Sequence, residues 1–93
     1  MRVIERTGQF KRDYKRESKG VHKKTLTEDL TAAIELLVED KQLPASYSDH
    51  ALIGEWKDHR DCHIKPDLVL IYRKPDDQKL QLVRLGSHSE LGI

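Results

Sequence analysis

The run Leu68-Val69-Leu70-Ile71-Tyr72 is the longest unbroken apolar stretch of the chain, closed off by Lys65-Pro66-Asp67 before it and Pro75-Asp76-Asp77 after it. Both flanks are turn-forming. Five residues fall far short of the roughly 20 that cross a membrane. Without polar alternation, the run is a strand covered on both faces rather than one with a wet side. The rest of the chain must therefore supply two covers. With 93 residues it can build one core, so a single domain over residues 1–93 is predicted.

The helices are found in the first half, and they pack on one face of the sheet. Leu30, Ala33, Ile34, Leu37 and Val38 recur at helical spacing behind Thr25-Leu26-Thr27-Glu28, which reads as a capping box, and this helix is predicted to end near Asp40. A basic amphipathic helix is predicted from Gly8 to about Lys19, with Phe10, Tyr14 and Val21 on one side, Thr7 as its cap and Gly20 as its stop. Arg2 to Arg6 is short enough for an edge strand. After Leu52 the period changes: Ile53–Lys57, Arg60–Ile64 and Leu80–Leu85 read as strands with short, antiparallel connections. The predicted class is α+β, with an N-terminal strand and two helices packed on an antiparallel sheet, and with Leu30, Ile34 and Leu37 meeting Val69 and Ile71.

Charge narrows the function classes. The formal net charge of +1 hides nine Lys/Arg against three acids in residues 1–24, then one Lys against six acids in residues 25–51. The first helix, with Lys11, Arg12 and Lys15, has the footprint of a surface that approaches phosphate, and equally that of a solvated helix face. One cysteine, Cys62, can neither staple the fold nor build a thiolate zinc cluster. Met1 to Arg6 is not followed by the apolar segment of a secretory signal, so the expected compartment is the cytoplasm, away from the membrane.

Chemistry points to the histidines. Four of the five, His50, His59, His63 and His88, fall after residue 49. Along the strand Arg60–Ile64, Asp61 and His63 face one way and Cys62 the other, toward the core. Asp67 lies in the turn after that strand, His88 follows the last strand, and His50 enters the sheet. If these strand ends converge, three imidazoles share one concave face with carboxylates. Two imidazoles can divide base and acid roles near neutral pH. RNA cleavage by its own 2′-hydroxyl needs that division, plus a cation for the phosphorane; Lys57, Arg60 and Arg84 are candidates. The rival is a metal set of His50, His63, His88 and Asp67, although no compact motif such as H-E-x-x-H supports it. Tyr47 and Trp56 are candidates for base stacking, Trp56 also for a packed strand aromatic.

The ordered set Asp49-His50-Ala51-Leu52, Gly54-Glu55-Trp56-Lys57, Arg60-Asp61-Cys62-His63-Ile64, Pro66-Asp67, Leu70-Ile71-Tyr72 and Arg84-Leu85-Gly86-Ser87-His88-Ser89-Glu90-Leu91 resembles the YafQ branch of the RelE-type toxins, together with Gln9-Phe10-Lys11-Arg12-Asp13 near the start. The resemblance spans essentially the whole chain. It implies a compact microbial-RNase-like, RelE-like fold. It also implies the toxin of a type II toxin–antitoxin pair, an endoribonuclease (mRNA interferase) that cuts mRNA in the ribosomal A site and needs no cofactor. By the same resemblance His50, Asp61, His63, Asp67 and His88 form the active site. The expected partners are a cognate antitoxin, the ribosome and mRNA. A non-catalytic module binding RNA or ribosomes through the basic helix, and a metal-dependent hydrolase using the histidine cluster, are the alternatives.

Overall fold

The computed structural model describes every residue from Met1 to Ile93. Strand β1 (Val3–Arg6) leads into helix α1 (Gly8–Glu17), then helix α2 (Leu26–Val38), the two-residue strand β2 (His50–Ala51), a hairpin of β3 (Arg60–Lys65) and β4 (Leu68–Arg73), strand β5 (Lys79–Gly86) and a short helix α3 (His88–Leu91). The sheet order is β1-β5-β4-β3-β2. All neighbours are antiparallel except β1 and β5, which run parallel and so need the crossover through both helices.

β4 lies at the centre with all five residues from Leu68 to Tyr72 at 2% exposure or less, as an uninterrupted apolar run requires. Its alternation feeds two separate cores. Leu68, Leu70 and Tyr72 join Phe10, Leu26, Leu30, Leu37, Cys62, Leu80, Leu82 and Leu85 beneath the two long helices. Val69 and Ile71 face the other way, into a small cluster with Leu91 that is flanked by Leu52, Trp56 and Val83. The predicted contact of Leu30 and Leu37 with Val69 and Ile71 is therefore displaced by one residue. A one-residue step flips the face of a strand, and a run apolar at every position cannot say which face the helices take.

Local chemistry explains most element ends. The Thr7 hydroxyl caps α1 by accepting from the Phe10 N–H at 3.0 Å. α1 stops at Glu17, so Val21 lies beyond it and is 94% exposed rather than on its apolar side. Thr25 makes no side-chain cap, so the expected capping box is absent. The genuine box opens α3: Ser87 Oγ accepts from Glu90 N at 3.1 Å and Glu90 Oε1 accepts from Ser87 N at 2.8 Å. Ile53–Lys57 is no strand; Gly54 at φ +69° starts a tight 3-10 turn, Gly54–Trp56, which lays Trp56 beside the small core.

Candidate active site

The site lies on the sheet face away from α1 and α2. Register places His50 opposite Asp61, His63 opposite Val69 and Asp61 opposite Ile71, so one face of β2 and β3 carries all three polar groups above the small core. The β3–β4 hairpin, whose register shifts between His63 and Lys65, puts Asp67 at its tip, and the capping of α3 at Ser87 puts His88 next to it.

His88 is held twice by one carboxylate: Asp67 Oδ1 accepts from the His88 ring Nδ1–H at 2.8 Å and from its backbone N–H at 3.2 Å. The His88 hydrogen bond holds the Asp67 carboxyl below the usual carboxylate range, so it stays ionised at neutral pH. The His63 and His88 rings meet edge to face with centroids 5.0 Å apart. On the other flank, His50 Nδ1 donates to the Ser48 carbonyl at 2.7 Å. A carbonyl and an ionised carboxylate only accept, so in both His50 and His88 the proton of the neutral ring sits on Nδ1 and Nε2 is left free for chemistry.

Asp61 lies at the centre of the cluster. Its Oδ1 is 3.0 Å from His50 Nδ1, but that N–H is aligned on Ser48, so the buried Oδ1 receives no hydrogen bond. Burial pushes the Asp61 carboxyl above its ordinary value, while the charges of His50, His63 and His88 pull the other way. The Asp61 carboxylate is stabilised by positive charge on any of the three imidazoles around it. The cluster can thus exchange protons with a substrate through nitrogen atoms on an open surface. Beside it, Ser46, Tyr47, His63, Ile64, Lys65 and Pro66 line a cleft of about 350 Å³, large enough to admit a nucleobase next to His63.

The cations sort differently from expectation. Arg60 points to the opposite face, with Cys62 and Tyr72, where Asp49 binds it at 3.3 Å through two nitrogens. This corrects its placement near the imidazoles; strand alternation already forbids Arg60 and Asp61 from sharing a face. Arg84 donates to Asp13 of α1 at 2.7 Å and is committed there. Lys57 is exposed with no carboxylate in reach, just past the tight turn that carries Trp56. Lys11, Arg12 and Lys15 stand exposed on α1, and none pairs with a site carboxylate. No three of the His and carboxylate side chains are arranged to hold a metal ion, so His50, His63, His88 and Asp67 do not assemble as a ligand set.

Sequence reasoning passed over two groups. Asp49 and Tyr72 anchor the segment bearing His50, with the Tyr72 hydroxyl donating to Asp49 at 2.6 Å. Asp13 is a fully buried carboxylate that ties α1 to β5. A signal for Asp13 existed: it is the acid at i+3 from Phe10, on the apolar side of a basic helix.

Comparison with known proteins agrees with this architecture. A family model described as a bacterial toxin of type II toxin-antitoxin system, YafQ, matches residues 2–92. An mRNA interferase toxin YafQ of Escherichia coli (strain K12) is 42% identical over 91 residues, covering 97% of this chain and 95% of the relative. A Haemophilus influenzae relative bearing the toxin name YafQ is 47% identical over 64 residues, covering 66% of this chain and 63% of that relative. Among solved structures, a chain of the E. coli DinJ-YafQ complex superposes with a TM-score of 0.80 at 36% identity, covering 98% of each chain.

Proposed function

Because the chain belongs to the YafQ family of toxins of type II toxin–antitoxin systems, we propose that it is an mRNA interferase: a ribosome-dependent endoribonuclease that cuts mRNA in the A site, with the RNA 2′-hydroxyl as nucleophile and no metal ion. The observation that carries this reading is the gathering of His50, His63 and His88 with Asp61 and Asp67 on one open face.

His50 is assigned as the base. Its Nδ1–H is spent on a neutral carbonyl, so Nε2 can take the 2′ proton, and Asp61 then stabilises the imidazolium that forms. O2′ attacks phosphorus, the P–O5′ bond breaks, and His88 gives a proton to the departing O5′. Asp67 suits His88 to that role by geometry, since its carboxylate holds Nδ1 and fixes the ring with Nε2 left to carry the proton that is given. His63, edge-on to His88, would contact the phosphate oxygens, with Lys57 as the one cation of the three considered that no carboxylate engages. The products are a 2′,3′-cyclic phosphate and a 5′-hydroxyl. The basic face of α1, with Lys11, Arg12 and Lys15, is the ribosomal RNA contact in this reading.

Primer extension on mRNA in a translating extract tests the proposal. New 5′ ends are expected with the wild-type chain, fewer by two orders of magnitude or about that with His63→Ala or His88→Ala, and none when the 2′-hydroxyl at the cut site is replaced by hydrogen. Undiminished cutting by either variant overturns the site assignment. Loss of cutting in EDTA-treated protein assayed with ribosomes returned to magnesium would favour the metal-dependent alternative. Salt-sensitive ribosome binding without new 5′ ends would favour the non-catalytic one. A cognate antitoxin as partner is part of the same proposal, supported by the E. coli complex of DinJ with YafQ.

A further inference from the structure

We infer that Asp49, gripped from the rear of the sheet by Tyr72 and Arg60, is the positioning residue that aims His50 into the active site. The inference rests on the catalytic reading of His50 given above. Strand β2 is only two residues long and its His50 side is exposed, so pairing with β3 alone gives weak control over the ring. The control comes from the residue before it. The Asp49 carboxylate accepts from the Tyr72 hydroxyl at 2.6 Å and from Arg60 Nε and Nη2 at 3.3 Å each. Tyr72 is itself packed in the main core beneath the helices, 2% exposed. Burial, with the hydrogen bond to Asp49 in second place, pushes the Tyr72 hydroxyl above its ordinary pKa, which keeps it a donor across the physiological range.

The grip explains a strained turn. Ser48 has φ +48° and ψ +41°, a left-handed conformation that a residue other than glycine keeps only where its surroundings hold it. That turn directs the Ser48 carbonyl at His50, whose Nδ1–H it accepts at 2.7 Å. One anchor thereby sets both the direction of the ring and its tautomer. A neutral histidine side chain free in water favours the Nε2–H form, so the Nδ1–H form with an available Nε2 is something the protein must impose. As a plain ion pair with a half-exposed arginine, Asp49 would do little. The tautomer is what separates an anchor from an ornament.

The test uses protein labelled with nitrogen-15 in its histidines, with long-range proton–nitrogen spectra recorded above the imidazole titration range, and His50→Ala to assign the signals. In the wild-type chain His50 is expected as the Nδ1–H tautomer. Asp49→Ala, and Tyr72→Phe, which leaves the core ring in place, should both move it toward Nε2–H. Single-turnover cleavage on ribosome–mRNA complexes should fall about tenfold in Asp49→Ala and about threefold in Tyr72→Phe, without change in the toxin concentration giving half-maximal rate. Asp49→Asn, which still accepts from Tyr72, should recover most of the rate. If His50→Ala abolishes cleavage while the Nδ1–H form and full rate persist in Asp49→Ala and Tyr72→Phe, the positioning role is overturned alone. A wild-type rate in His50→Ala overturns the catalytic reading, and this inference with it.

Discussion

Asp13 makes the sharpest stability prediction, because its carboxylate is wholly buried and saturated. Arg84 donates to it at 2.7 and 3.3 Å, Arg16 at 2.9 Å, the Leu85 backbone N–H at 3.1 Å and Gln9 at 3.2 Å. Breaking a buried pair by removing one partner costs about 3–5 kcal/mol. Arg84 and Arg16 are 22% and 41% exposed, so both can partly rehydrate, which sets Asp13→Ala at the low end, about 3 kcal/mol. For a domain of this size each kcal/mol moves Tm by about 4–8 °C, so the variant should melt about 12–24 °C lower. The pH dependence supplies a second check. Burial, the largest influence on Asp13, raises its pKa, but the hydrogen bonds from Arg84, Leu85 and Gln9 outweigh it and the result lies below the ordinary 3.8. A depressed folded pKa gives stability that is present above the unfolded value and lost as pH falls through the folded one. Calorimetry should therefore find the gap between wild type and Asp13→Asn full at neutral pH and shrinking below about pH 4. A Tm loss under about 4 °C in Asp13→Ala, or a gap indifferent to acid, would refute the view that this carboxylate ties α1 to β5. Adding Arg84→Met to Asp13→Ala should restore part of the loss, since no charge is then left stranded.

Asp61→Asn should act in the opposite direction on stability while removing activity. A raised folded pKa means stability is lost as pH rises from the unfolded value through the folded one, so at neutral pH the carboxylate is a liability; the amide should raise Tm by about 4–8 °C, from about 1 kcal/mol, and a lower Tm in thermal melts would contradict this. Asp67→Asn should cut the saturated cleavage rate about tenfold with Tm almost unchanged, because the Asp67 side chain is 68% exposed; an equal fall in Tm and rate would assign Asp67 to the fold instead. Cys62, with its thiol pushed up to about 12 by burial, should resist iodoacetamide in the native chain and react only after unfolding, as mass spectrometry would show.

How much of this was legible in the chain depends on the range of the signal. Period and turn chemistry are local, and they placed α2, β3, β4 and β5 within a residue or two, along with Cys62 in the core and Asp61 with His63 on the opposite face. Ile53–Lys57 was misread because its apolar residues fit a strand, whereas Gly54 at φ +69° and hydrogen bonds closing over three residues make a tight turn. Thr25-Leu26-Thr27-Glu28 has the letters of a capping box but not the backbone: Thr25, at φ −119° and ψ 1°, leaves its hydroxyl out of the cap. Ser87 and Glu90, which close the true box, bracket His88 in a segment whose histidine is the more conspicuous signal. The site shows the same division. His50, His63, His88, Asp61 and Asp67 declare themselves by residue type, and their gathering follows from a hairpin and two strand ends. Asp49 and Tyr72 do not declare themselves, because a tyrosine closing an apolar run reads as packing and an aspartate in a polar loop reads as solvation. Their value lies in a contact across 23 residues of chain, and a pairing at that range leaves no periodic trace. The side chains proposed to transfer protons can thus be read from composition and alternation, while the one proposed to aim them is visible only once the sheet has brought its two faces together.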